Sequence, residues 1–145
     1  MKENKNAKPA DFSNIFRLQI PSNPKHVSLA RNFVYNLARE NGFTLHDAFD
    51  IKLITGEALI NVIKHSYLNR LDKPIFIEIK LFREKIEIRI RDFGIKANLE
   101  KMKSADMNDY REDGLGILLL RSLCNHFYID QSPEIGNKFI LMKIK

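Results

Sequence analysis

EALINVIKHSY, residues 57–67, closes the longest helical pattern in the chain, and its reading decides the fold. The pattern starts after Thr44, with Asp47 three residues on as an acidic variant of the capping box, and runs to about Tyr67. At 100° per residue, Glu57, Asn61, Lys64 and His65 fall inside one arc of roughly 100°. Leu53 and Ile60 flank that arc on one side, and Ile51, Ala58 and Val62 flank it on the other. A helix that is apolar on both sides of a polar stripe is expected to be largely buried, and Glu57 and Asn61 then need partners to offset desolvation.

Downstream, Ile75, Ile77, Ile79 and Leu81 alternate up to Arg83-Glu84-Lys85, and Ile86, Ile88 and Ile90 alternate after it, which predicts a hairpin. Glu78, Lys80, Glu87, Arg89 and Arg91 fall on the opposite face, so that face is expected to be wet while the isoleucines meet the helices. The same parity carried one step further brings Asp92 to the helix-facing side, with Gly94 just beyond. From Lys96 to Asp113 the periodicity fades, apart from a helical turn around Leu99 to Lys103. A connection that long is uncommon unless functional, and it reads as a lid. Gly114-Leu115-Gly116 ends it, directly before an apolar helix that runs from Ile117 to about Asn125. Phe127 to Gln131 and Lys138 to Ile144 are the two closing strands. Upstream, Phe16, Leu18 and Ile20 mark a short strand. Asn23 then caps a helix that opens on Pro24 and ends at Asn41-Gly42. The order β, α, α, β, β, lid, α, β, β implies an α+β fold. Its form is a two-layer α/β sandwich whose mixed, mostly antiparallel sheet is covered on one face by helices.

The 145 residues, 44% of them hydrophobic and 10 of them Phe, suffice for one core. Residues 1–13 read as a mobile leader and residues 14–145 as a single domain. The net charge of +6 is spread among interleaved acids and bases, so it marks neither a nucleic-acid protein nor a membrane-surface one. The lone Cys124 fits a reducing compartment, and no apolar run is long enough to span a membrane, which makes the cytoplasm the default location.

Three segments carry chemistry. Glu57 and Asn61 lie one helical turn apart, with a carboxylate able to orient or deprotonate a nucleophile and an amide oxygen able to ligate a hard cation such as Mg²⁺. A bare E-x-x-x-N also occurs in solvated helices; burial between apolar flanks is what gives this one weight. Asp92 and Gly94 spell an ordinary turn, or else a carboxylate that accepts a hydrogen bond from the exocyclic amine of a base, with a glycine that lets the ligand approach. Gly114, Leu115 and Gly116 offer backbone amides and a helix dipole to phosphate oxygens, or simply loop flexibility. His65 is either a phosphate contact or a helix-end histidine bonded to local carbonyls. Cys124 reads as a small core residue, and His26, His46 and His126 have no spacing that argues for a metal cluster.

Together these segments resemble the N-box (EALINVIKHSY), the D-x-G box (RDFGIKANLE) and the glycine box (EDGLGILLLRSL) of the Bergerat-fold (GHKL) ATPases. The E-A-x-x-N-x-x-x-H-x-Y spelling is most similar to the anti-sigma-factor serine/threonine kinases of the RsbW and SpoIIAB type, and the resemblance covers about residues 15–145. It implies ATP and Mg²⁺ as cofactors, with Glu57 as general base, Asn61 as the Mg²⁺ ligand and Asp92 on the adenine amine. Gly94 would make room for the base, and Gly114, Leu115 and Gly116 would hold the phosphates. It further implies a homodimer that binds a sigma factor and phosphorylates a small anti-sigma-factor antagonist. The chain departs from the pattern at Lys96, where a second glycine is usual, at Asn137, where a Gly-Thr pair often closes the pocket, and at Asn125, where an acid is often found. Two rivals stand beside this reading. A nucleotide-binding module that only sequesters a partner does not need the intact Glu57. An RNA-binding α+β module needs more exposed strand aromatics than Phe76 and Phe82.

Overall fold

A computed structural model describes residues 12–103 and 112–145. The first strand, β1, spans Phe12–Pro21 and so begins inside the expected leader; residues 1–11 lie outside the described residues. Asn23 accepts the Lys25 N–H and caps a short 3₁₀ turn, Pro24–His26, which leads into α1, Val27–Glu40. The second helix, α2, spans Leu45–Asn61, with the Thr44 hydroxyl accepting the Asp47 N–H at 3.1 Å. The long helix expected to reach Tyr67 is α-helical only to Asn61. Val62–Ser66 form a π-turn closed by the Tyr67 N–H on the Val62 carbonyl at 3.0 Å. The hairpin follows as β2, Pro74–Phe82, and β3, Lys85–Arg91. Then come α3, Leu99–Lys103, α4, Glu112–Leu123, β4, His126–Asp130, and β5, Lys138–Ile144.

The sheet order is β1-β2-β3-β5-β4, and all four pairings are antiparallel, so the expected parallel component is absent from the described strands. β5 therefore lies between β3 and β4, with β4 at the edge of the sheet. Ile75, Ile77, Ile79, Ile86, Ile88, Ile90, Phe139 and Leu141 form the inner face of the sheet. They pack beneath Ile51, Ile54, Ala58, Leu59 and Ile63 from the α2 segment and Ala30, Val34 and Leu37 from α1. The opposite face is drier than its charges suggest. Glu87 is buried under Arg89, which reaches its Oε1 at 3.0 Å from Nη2, and Ile140 is buried on the same side. The guanidinium, itself partly exposed, covers the carboxylate and leaves it buried without an unpaired charge.

Candidate active site

The end of α2 and the start of α4 meet. Asn61, 6% exposed at the end of α2, donates its Nδ2 to the Glu57 carbonyl at 3.0 Å. With the nitrogen spent on its own helix, the amide oxygen is the atom that can serve a hard cation. Gly116 of α4 sits against both side chains: a Cβ there would stand 2.9 Å from Glu57 Oε2 and 3.3 Å from Asn61 Nδ2. Only a residue without a side chain lets α4 pass this close without displacing the carboxylate.

The helix carrying that glycine starts earlier than expected. It begins at Glu112, so Gly114, Leu115 and Gly116 lie within its first turns rather than ahead of them. Glu112 and Asp113 explain the extension, because acidic residues are favourable at a helix N-terminus. Gly114 falls in the first turn, where amides lack intrahelical acceptors. Gly116 lies past that turn and contributes its missing side chain instead. The side chains of residues 103–115 lie outside the described set.

Asp92 is the second centre. The β3–β5 register pairs Arg91 with Lys138, and one further step sets Asp92 opposite Asn137, where the Asp92 N–H donates to the Asn137 carbonyl at 3.0 Å. As the isoleucine parity requires, the Asp92 carboxylate points inward, and it is fully buried. Its Oδ1 accepts the Gly94 N–H at 2.9 Å and the Asn137 Nδ2 at 3.2 Å, and the Ser66 hydroxyl supplies a further hydrogen bond. Burial pushes the Asp92 pKa up, and these donors pull it back only in part.

The sign of the resulting pH dependence follows. A carboxyl whose folded pKa lies above its unfolded value binds protons more tightly when folded. Acidification through that folded pKa therefore stabilises the protein relative to a variant without the group. Asp92→Asn should fold, and its melting temperature should fall further below the wild-type value, or rise less above it, at pH 5 than at pH 7. Paired thermal melts check this, and a wild-type minus variant difference that shrinks on acidification would contradict it.

Gly94 has a structural duty that the sequence does not reveal. A Cβ at this position would lie 2.1 Å from the Ser66 carbonyl oxygen, so the space it leaves is filled by the chain's own backbone, whose Ser66 carbonyl also accepts the Ile95 N–H at 2.9 Å. Tyr67 completes the junction. Its hydroxyl donates to the Pro74 carbonyl at 2.5 Å and accepts the Phe93 N–H at 2.8 Å, and burial pushes its pKa up. His65 lies half-buried on the π-turn, four residues beyond Asn61. Lys96, in place of the second glycine, donates its Nζ to the Gln131 carbonyl at 3.0 Å and also to the Pro133 carbonyl.

Elsewhere, His46, Asp47 and Asp50 bring ligand-type atoms within 4.8 Å of one another, a grouping that spacing alone did not suggest. Lys143 already balances it, with its Nζ 3.5 Å from Asp50 Oδ2. This is an ion-pair cluster. Cys124 is half-buried, and desolvation pushes its thiol up to about 11, as suits a packing residue.

Comparison with known proteins resolves the family. The profile of the histidine kinase-like ATPase domain matches residues 20–143, which include Glu57, Asn61, Asp92, Gly94 and Gly116. The chain belongs to the histidine kinase-like ATPase domain family. Within that family it is similar to the serine-protein kinase RsbW of Listeria innocua, at 30% identity over 128 residues that cover 81% of this chain and 82% of the relative. The RsbW of Oceanobacillus iheyensis is 28% identical over 121 residues, covering 78% and 77%. A solved structure of the RsbU and RsbW domains of Rv1364c from Mycobacterium tuberculosis aligns with a TM-score of 0.65 at 13% identity. The alignment covers 91% of this chain and 32% of that one, so this chain spans about a third of its length, and the likeness bears on fold alone. Within that family, the relatives set this chain beside proteins named serine-protein kinase RsbW. Among the described residues no helix is long and apolar enough to cross a membrane.

Proposed function

We propose that the protein is an ATP-dependent serine/threonine protein kinase of the anti-sigma-factor type. It acts in the cytoplasm as a homodimer, phosphorylates a small anti-sigma-factor antagonist and sequesters a sigma factor. The observation that carries this reading is the convergence of Glu57, Asn61 and Gly116, three residues from two distant motifs on one point.

The donor set suits Mg-ATP. Asn61 keeps a hard oxygen ligand, Glu57 stands beside it, and the lack of a side chain at Gly116 lets α4 approach both closely. Magnesium, when bound, supplies positive charge to the phosphoryl oxygens during in-line transfer. Asn61 would hold the cation. Glu57, half-buried and one turn earlier, accepts the proton of the incoming serine or threonine hydroxyl. Asp92 accepts the exocyclic amine of adenine, and the amide of Gly114 in the first turn of α4 faces phosphate charge at the positive end of the helix dipole. Because Asp92 is fully buried, the base reaches it only by parting some of its cover.

Two measurements test the proposal. Mg-ATP at about 100 times its Kd should stabilise the fold by about 2.7 kcal/mol, visible as a rise in melting temperature that grows with concentration. An unchanged melting temperature in millimolar Mg-ATP would remove the nucleotide site. Labelled ATP incubated with candidate antagonist proteins should then give label on a serine or threonine of one of them. Nucleotide binding without transfer to any of them would leave only a sequestering module.

A further inference from the structure

We propose that Asn137 is a positioning residue that aims the Asp92 carboxylate at the nucleotide base and so sets base selectivity; this inference rests on the nucleotide reading given above. Asn137 is fully buried at the turn into β5, directly across the sheet from Asp92. Its Nδ2 lies 2.9 Å from the Ile95 carbonyl, 3.2 Å from Ser66 Oγ, and 3.2 and 3.4 Å from the two oxygens of Asp92. Its Oδ1 accepts the Ala97 N–H at 2.8 Å and Gln131 Nε2 at 3.3 Å. One amide thus bonds the base-reading acid, the backbone that follows it and the start of the lid connection.

The geometry separates aiming from direct contact. An amide nitrogen has two hydrogens, and four acceptors already surround them, so Asn137 has nothing left to offer a ligand. Asp92 differs. An ionised carboxylate has about four lone-pair sites, and its partners here are four donors: Gly94 N–H, Asn137 Nδ2, Ser66 Oγ and the Asn137 backbone N–H. An exocyclic amine therefore enters by sharing an oxygen with these donors, two of which belong to Asn137, so Asn137 helps to fix how the carboxylate is presented to it. Lys96 braces the same segment from outside through the Gln131 and Pro133 carbonyls. Two of the three departures from the family pattern, Lys96 and Asn137, therefore hold one loop between them.

The test compares ATP with purine riboside triphosphate, which lacks only the 6-amino group, by titration calorimetry with Mg²⁺. Wild-type protein should prefer ATP by roughly ten- to hundredfold, the range of a hydrogen bond to a charged group. In Asn137→Ala that ratio should fall to within about threefold of unity, because the carboxylate is free to turn, while affinity for the amine-free analogue changes little. A merely structural role predicts that both affinities fall together with the ratio kept. An amide that competes with the base predicts a ratio that rises. Either result overturns the proposal. Should Asn137→Ala fail to fold, Asn137→Ser carries the same expectation, since its hydroxyl reaches one bond less far than the amide nitrogen. If the wild type binds neither triphosphate, the nucleotide reading itself is wrong and this inference falls with it. A wild type that binds both equally refutes this inference and the Asp92–amine contact while leaving nucleotide binding itself standing.

Discussion

Glu57→Ala should lower phosphoryl transfer by about two to four orders of magnitude and leave Mg-ATP affinity within a few-fold of wild type. A general base acts on the acceptor hydroxyl as the transfer proceeds and adds little to the hold on the ground-state nucleotide. The geometry supports a clean separation. Glu57 is half-buried and its carboxylate abuts Gly116, a position with no side chain to collapse into the gap. Asn61→Ala should behave differently, weakening binding and transfer together, because the proposed cation ligand acts in ground state and transition state alike. Single-turnover transfer to a verified antagonist, run beside nucleotide titrations, distinguishes the two patterns. Full transfer by Glu57→Ala would end the base assignment. Equal, modest changes in melting temperature with no selective effect on transfer would mean that both residues are ordinary helix positions.

Gly94→Ala should cost about 3–5 kcal/mol and lower the melting temperature by roughly 10 °C or more. The added methyl would lie 2.1 Å from the Ser66 carbonyl oxygen and 2.4 Å from its carbon, and backbone cannot swing aside as a side-chain tip can. Relief requires the Asp92–Ile95 segment to lift. That breaks the Ile95 N–H bond to Ser66 and the Gly94 N–H bond to Asp92, leaving a buried carboxylate short of a donor. Gly56→Ala is the control. There a Cβ would meet only Arg31 Cδ at 3.4 Å, the flexible part of an exposed side chain, and the helix gains from losing a glycine. Thermal melts of the pair decide the matter: a Gly94→Ala protein as stable as Gly56→Ala would show that the close approach to Ser66 is not a packing constraint.

What the sequence discloses and what it hides divide on physical lines. The inward aim of Asp92 is legible because strand side chains alternate, and three isoleucines fix which face is buried. The burial of Asn61 is legible because apolar residues flank it on both sides of one helix. The Asp92–Asn137 contact is hidden, since it joins residues 45 apart and depends on the β3–β5 register, which no local pattern encodes. The real neighbour of Gly94 is hidden for the same reason: Ser66 reaches it from another layer. The start of α4 was misplaced because two glycines look like a loop, whereas packing of Ile117 and Leu120 and the acids at Glu112 and Asp113 carry the helix through them.

The π-turn at Val62–Ser66 makes the length of this stretch a structural requirement beside the identity of Ser66. A π-turn holds one residue more than an α-turn, so Ser66 and Tyr67 stand about 100° around the axis from where an unbroken α-helix would carry them. Asn61 works from one side of that irregularity, and the Ser66–Tyr67 junction with Asp92 and Phe93 works from the other. A conservative apolar exchange within the turn leaves the phase between the two halves intact. Removal of a single residue would restore an ordinary helix and swing the halves out of step, so a one-residue deletion here should disturb both ends of the site at once, where a substitution disturbs one.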